Sequence, residues 1–320
     1  MSANPIQWAL APAGPQAAKL ATLYWIFFWV CAVAYVATIV FLIIAIIRSL
    51  RRATPDDPLL HERSMARGVA IGSTLTIAGL FALLVASVAV GDAVGTFAKN
   101  KPNQLEIDVT GHQWWWEVTY PDPESDKIIK TANEIHIPVG KPVLMHLATR
   151  DVIHSFWVPN LHGKRDLIPG RNNKLWIQAG RAGTFRAQCA EFCGLQHAHM
   201  SFVVVAETAD EFDRWKKHQQ APAPDPKTPQ ERNGREIFLS LPCANCHSIV
   251  GIDAYATLGP DLTHVASRPT LAAGMLINNR GNLAGWISNA PAIKPGAQMP
   301  PNEMSASDLQ DLLAYLETLK

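Results

Sequence analysis

Charge is scarce in this sequence. Lys, Arg, Asp and Glu make up 17% of its 320 residues, against about 25% in an average soluble chain. Net charge is nearly absent too: 28 Lys+Arg face 27 Asp+Glu, leaving +1. That offers no case for nucleic-acid binding, which usually rests on a basic stripe. Cysteine is sparse, five in all, so the chain is no disulfide-dense scaffold. There is no internal repeat, which sets aside repeat arrays. What is abundant is apolar side chain, 48% of the total. Yet mean hydropathy is only +0.04, too low for a protein that is membrane throughout. At about 150 residues per domain the length suggests two domains. Together the numbers describe a chimera, apolar in one place and ordinary elsewhere.

The apolar excess is local. No charged residue occurs from Leu20 to Ile47, and a second uncharged run, Gly68 to Gly91, lies between Arg67 and Asp92. Each exceeds the roughly 20 apolar residues that cross a bilayer. A backbone in lipid must satisfy its own hydrogen bonds, so both runs are expected to be helices. The loop between them carries Arg48, Arg51, Arg52, Arg63 and Arg67, while the preceding tail has only Lys19. The positive-inside rule puts that loop in the cytoplasm and both termini outside. No separate signal peptide is read ahead of the first span.

Residues from about Lys99 to Glu207 read as short strands. Leu105, Ile107 and Val109 alternate with Glu106 and Asp108; Ile135, Ile137 and Val139 alternate before the turn Gly140-Lys141-Pro142. Leu175 with Ile177, Phe185 with Ala187, and Ser201 to Ala206 continue the pattern. Many short strands with Gly/Pro punctuation argue a β-sandwich or barrel. A short polar helix follows, then Gln219 to Gln230, with four prolines and no bulky apolar residue, reads as a flexible linker. The remainder reads as helical. Ser307 and Gln310 fit a capping box, and Leu309, Leu312, Leu313, Leu316 and Leu319 recur at helical spacing.

The chemistry is concentrated in two runs. In the first, Cys189, Cys193, His197 and Met200 fall within twelve residues, with Glu191 and His199 among them and His154 upstream. Soft sulfur with imidazole selects copper or zinc over oxygen-seeking metals. Three arrangements compete. A Cys189–Cys193 disulfide suits an oxidising compartment but leaves His197 and Met200 unexplained. Zinc is satisfied by the two thiolates with His154 and His197 and has no use for Met200. A mononuclear blue copper site needs one Cys, so two coppers bridged by sulfur account for the most residues.

The run C-x-E-x-C-x-x-x-H-x-x-M, the upstream D-V-x-H-S, GHQWWWEVTYP (Gly111 to Pro121) and DLIPGR (Asp166 to Arg171) resemble subunit II of cytochrome c oxidase. That resemblance, from Leu20 to about Glu207, implies a cupredoxin fold with a dinuclear copper A centre. By position, Cys189 and Cys193 bridge both coppers and His154 and His197 each bind one. Met200 and the Glu191 backbone carbonyl are weak ligands. It further implies magnesium on the Glu191 carboxylate at the subunit I interface. It also makes Trp114 a candidate for the surface where electrons arrive. The family commonly has Tyr at the middle of the aromatic run, where this chain has Trp115. Without the family, Trp114, Trp115 and Trp116 read as a strand packing outward, inward, outward. His199, His112, His136, His146 and His162 are expected to be structural.

The second run is Cys243-Ala-Asn-Cys246-His247, the c-type haem attachment pattern. Met299, in KPGAQMPP, is the expected second axial ligand, since Met/His ligation typifies cytochromes c. Met275, in a helix-like stretch, and Met304, before the last helix, are decoys. This region is similar to a class I cytochrome c. The expected protein is therefore multidomain. It has a tail and transmembrane hairpin (1–98, spans about 20–47 and 68–91), a cupredoxin-like Greek-key β-sandwich (99–218), a linker (219–230) and an all-α class I cytochrome c domain (231–320).

The resemblance implies an electron-transfer subunit of a terminal oxidase. It takes electrons from cytochrome c or a quinol–cytochrome c reductase complex. They pass through covalent haem c and copper A to subunit I for oxygen reduction coupled to proton translocation. Expected partners are subunit I, other oxidase subunits and the lipid bilayer; no nucleic acid is expected. Expected location is the cell membrane, with the large domains periplasmic. The same residues would serve a nitric oxide reductase, or a copper-binding assembly factor, which Met200, Glu191 and the haem motif disfavour. Cys31, within the first span, reads as packing.

Overall fold

The computed structural model describes residues 6–51, 58–96 and 104–320. Arg52, the side chain of Arg63 and Lys99, invoked above, lie outside the described residues. The chain divides into two compact units, Ala18–Phe97 and the remainder.

The first unit is helical. α1 (Pro15–Arg51) and α2 (Pro58–Gly95) contain both uncharged runs and extend beyond them. Threonine side chains in them turn back on the backbone: the Thr38, Thr74 and Thr76 hydroxyls donate to the carbonyls of Ala34, Ala70 and Gly72 respectively, each four residues back. Large apolar residues, Trp29, Tyr35, Phe41, Val69 and Phe81 among them, are more than half exposed. Apolar surface on this scale requires lipid or partner cover, and both helices are long and apolar enough to cross a membrane.

The second unit begins with a ten-strand sandwich. Its strands are β1 (Leu105–His112), β2 (Trp115–Tyr120), β3 (Ile129–Ala132), β4 (Glu134–Pro138), β5 (Val143–Thr149), β6 (His154–Trp157), β7 (Arg165–Leu167), β8 (Asn173–Ile177), β9 (Gly183–Cys189) and β10 (Ser201–Glu207). One sheet runs β3-β2-β1-β5-β8 and the other β4-β10-β9-β6-β7. β1 with β5 and β4 with β10 are parallel pairs, while their other neighbours are antiparallel. Ile107, Val109, Val118, Ile135, Ile137, Phe156, Phe185 and Val204 fill the space between the sheets. The alternation read from β1, β4, β8 and β9 thus marks the inward face.

The tryptophan run has the opposite parity to the one expected. Trp116 is fully buried, pointing into the core, whereas Trp114 and Trp115 are half-buried. β2 begins only at Trp115, so Trp114 belongs to the turn before it. The N-terminal segment also joins this unit: Ile6 forms a parallel bridge to Phe185 on β9. Gly14 lies so close to the sandwich that a Cβ there would sit 2.2 Å from the Gln178 carbonyl.

α3 (Ala209–Gln219) and α4 (Pro229–Ser240) follow, each opened by a Thr-x-x-Glu capping box, Thr208 with Glu211 and Thr228 with Glu231. The segment between them is not a free tether. Ala223 N–H donates to the Val250 carbonyl at 2.8 Å, and Ala223 packs on the core beyond it. That core is mostly helical: α5 (Arg280–Ser288), α6 (Ala290–Ile293) and α7 (Ala306–Leu316). Two short ladders supplement it, β11 (Ser248–Ile249) with β12 (Ala254–Tyr255) and β13 (Thr270–Leu271) with β14 (Leu276–Ile277). Met275 therefore lies in a hairpin, not a helix. Ser305, not Ser307, caps α7, accepting from Asp308 N–H at 3.0 Å. Ser307 sits inside the first turn with its hydroxyl 2.8 Å from that of Ser305. α4 and α7 cross at Gly234, where a Cβ would stand 2.0 Å from the Asp311 carbonyl.

Candidate metal centres

β9 and β10 are antiparallel neighbours, and residues 189–200 form the loop joining them. Cys189 N–H closes that loop on the Met200 carbonyl at 3.0 Å. β6 pairs with the end of β9, Phe156 opposite Cys189, which sets His154 beside the loop. The sulfurs of Cys189 and Cys193, both buried free thiols, lie 3.7 Å apart. His154 Nδ1 is 3.9 Å from Cys189 Sγ, and His197 Nδ1 is 3.6 Å from Cys193 Sγ. Met200 Sδ is 3.8 Å from Cys193 Sγ, and the Glu191 carbonyl oxygen 3.2 Å from Cys189 Sγ.

These spacings fit metal ligation. Two sulfurs bound tetrahedrally to one ion at about 2.3 Å stand about 3.8 Å apart. The ligand atoms of His154, Cys189 and Cys193 all lie within 4.8 Å of one another. The hydrogen bond between the two thiols holds Cys189 low, against the effect of burial, and together with burial pushes Cys193 up. The pair thus favours ionising Cys189 beside imidazole, the form in which a soft cation binds sulfur.

His154 is aimed by its neighbours. Its Nε2 contacts Asp151 Oδ1 at 2.8 Å, which leaves Nδ1 turned to Cys189. Burial alone would lower the imidazole's pKa, but the bonds to Cys189 and Asp151 raise it. Asp151 is fixed in turn by Gln113 N–H at 2.6 Å and Val152 N–H at 2.7 Å. Burial raises the Asp151 carboxyl, and these three bonds outweigh it and hold the group below its usual range. Gly111 makes room, since a Cβ there would meet His154 Cδ2 at 2.8 Å. Gln113 Nε2 and Trp114 Nε1 both donate to the Cys193 carbonyl, at 2.7 and 3.0 Å. Trp114 is thereby tied directly to the thiolate loop. Phe192 and Leu195 on the same loop are more than two-thirds exposed, and Glu191 is exposed too.

The second constellation sits on one tight turn. Cys246 N–H and His247 N–H both donate to the Cys243 carbonyl, at 3.1 and 2.9 Å. His247 Nδ1 contacts the Pro260 carbonyl at 2.8 Å, leaving Nε2 free. The ring lies against Gly259, where a Cβ would meet it at 2.6 Å. Burial lowers the pKa of His247 and favours the neutral imidazole that ligates iron. Met299 is half-buried in the segment between α6 and α7. Asn302 anchors that segment, donating from Nδ2 to the Ile287 carbonyl at 2.9 Å. The free Nε2, two adjacent unpaired thiols and a thioether segment on the same subdomain suit a covalently held haem.

Residues 105–207 match the family described as "Cytochrome C oxidase subunit II, periplasmic domain", and residues 231–320 match "Cytochrome c". A cytochrome c oxidase subunit 2 of Alkalihalophilus pseudofirmus is 35% identical over 323 residues, covering 98% of this chain and 90% of that protein. This chain belongs to the cytochrome c oxidase subunit II family. A second subunit 2, from Bacillus subtilis, is 31% identical over 252 residues, covering 75% of this chain and 68% of its own length. The periplasmic domain of subunit II of cytochrome oxidase from Bradyrhizobium japonicum is 32% identical. It covers 38% of this chain and 96% of its own, with a TM-score of 0.35.

As a subunit II, the chain is part of a haem–copper oxidase, an oxidoreductase complex, and it combines a cupredoxin-like domain with a cytochrome c domain. The histidines expected to be structural have local partners, His162 bonding the Gly163 carbonyl at 3.1 Å. His112 bonds Glu117 at 3.0 Å, His136 bonds Glu207, His146 bonds Glu106 at 2.9 Å, and His199 bonds Gln196 at 2.8 Å. Sequence reasoning missed Asp151, Gln113 and Asn302. Only Asp151 left a trace, standing three residues before a ligand-type His.

Proposed function

We propose that this chain is the electron-input subunit of its oxidase, relaying electrons from an external donor through haem c and dinuclear copper A to subunit I. Oxygen reduction and proton translocation then belong to subunit I. The observation that carries the reading is the loop 189–200. Its two thiols, the His197 imidazole, a thioether and a backbone carbonyl converge with the His154 imidazole of β6 at ligand spacing. When bound, haem and copper supply the one-electron chemistry that no side chain here can.

The protein's own residues hold and aim the groups. Cys189 and Cys193 would hold the coppers through their thiolates, with His154 and His197 through Nδ1, and Asp151 fixes the first of these rings. Met200 and the Glu191 carbonyl would complete the set. Cys243 and Cys246 would attach haem, with His247 and Met299 as the ligands to its iron. The Glu191 carboxylate, exposed beside the loop, suits a magnesium ion completed by ligands of subunit I. Exposed Phe192 and Leu195 suit the partner's surface. α1 and α2 span the membrane with the arginine-bearing connection in the cytoplasm.

The test is Cys189→Ser in the intact oxidase. The mixed-valence dinuclear copper signal should vanish while the haem c spectrum persists. An unchanged copper signal would overturn the ligand assignment.

A further inference from the structure

The haem-binding and copper-binding regions belong to one compact unit, and what joins them centres on Lys294. This residue caps the C-terminus of α6, five positions before Met299, and is 3% exposed. Its ammonium donates three hydrogen bonds: to the Trp114 carbonyl at 2.8 Å, the His199 carbonyl at 2.8 Å and the Ala272 carbonyl at 3.0 Å. An ammonium has three donors, so every one is used. Two acceptors come from the sandwich and one from the haem-binding region. A buried cation is costly unless fully hydrogen-bonded, so pulling the regions apart strips this charge of two partners at once.

The surroundings are built to the same end. Ala272 and Ala273 both adopt left-handed backbone, φ 54° and 59°, a conformation that disfavours a Cβ. Each directs its carbonyl at the contact: Ala272 to Lys294, and Ala273 to the backbone N–H and hydroxyl of Ser201, at 3.1 and 2.9 Å. Gln196 Nε2 donates to the Pro295 carbonyl at 2.8 Å. At Gly274 a Cβ would lie 2.1 Å from Ser201 Oγ, and at Gly296 one would lie 3.0 Å from the Trp114 ring. On the other flank, Ser248, Thr257, Gly259 and Asp261 share a small cleft with Trp115 and Glu117. The segments carrying His247 and Met299 therefore straddle the Trp114–Trp115 corner.

We infer that Lys294 is a positioning residue, pinning the haem-binding region on the sandwich at the Trp114–Trp115 corner so that the two redox sites keep one fixed geometry. The metal chemistry is that of the proposed relay; the pin itself is a property of the polypeptide.

The test compares full-length Lys294→Met with the unaltered chain by amide hydrogen exchange. Exchange in 113–116, 199–203 and 270–275 should accelerate about tenfold or more, while α4, α7 and β5 keep their protection. Unchanged exchange at the contact would overturn the inference. So would loss of protection throughout α4 and α7, which would make Lys294 a folding residue. Lys294→Gln, which keeps two donors, should fall between. In the loaded oxidase, haem-to-copper transfer should be insensitive to solvent viscosity in the unaltered protein. In Lys294→Met it should become slower and viscosity-dependent; an identical rate would overturn the pin. The expected exchange pattern together with no haem-to-copper transfer in the unaltered oxidase would overturn the relay and leave the pin standing.

Discussion

At the scale of single residues, the loop 189–200 was legible because its ligand types are contiguous and their spacing is carried by sequence alone. What aims them was not. Asp151 orients His154 through one ring nitrogen, but its own anchoring comes from Gln113, a partner brought near by the β1–β5 pairing. No local pattern announces such a contact. Asp151→Asn preserves shape and removes the charge that fixes the ring. Copper affinity should fall about 10- to 100-fold, measured by competition with a copper chelator. The thioether and thiolate ligands should leave the residual optical spectrum recognisable. The parity of the tryptophan run was misread for a related reason. Alternation locates a face only once the strand's first residue is known, and β2 starts one residue after Trp114.

At the scale of elements, periodicity served where one face is buried and failed where turns decide. The inward strands and the leucines of α7 were readable from their spacing. The stretch around Met275 resembles a helix in composition, yet it folds as a hairpin because Ala272, Ala273 and Gly274 take left-handed backbone. α7 starts earlier than Ser307 because Ser305 reaches the N–H of Asp308. The two Thr-x-x-Glu boxes ahead of α3 and α4 were available in the sequence as start signals. The α4–α7 crossing depends on a backbone-to-backbone approach that only glycine permits. Gly234→Ala should therefore destabilise the haem-binding region by about 3 kcal/mol or more, since overpacking against a carbonyl has little room to relax. Thermal unfolding followed at the haem absorption band would show it, with the copper signal unchanged at temperatures below the transition.

At the scale of the whole molecule, two domains suggested by length become an apolar helical pair, a sandwich and a mostly helical haem-binding region. The averages hid this because the uncharged helices offset an ordinary remainder. The proline-rich stretch was read as a mobile tether from composition, which reports what a segment does alone. Here Ala223 is held on its neighbour by a hydrogen bond to Val250, and the contact around Lys294 does not depend on the stretch being short. Inserting about nine Gly/Ser residues between Pro224 and Lys227 roughly doubles the connection and should weaken the contact by under about 1 kcal/mol. Exchange at the Ser201 amide would report it.

The seating of Gly296 on the Trp114 ring has a kinetic meaning. On the proposed relay, a haem carried on this chain and already docked would deliver its electron in a first-order step, so that step would not depend on donor concentration. Salt would then act only on the outer encounter between a donor and the haem-binding region, and leave the inner transfer alone. The oxidase would thus separate the collision that supplies an electron from the hop that uses it, and each could be tuned without the other.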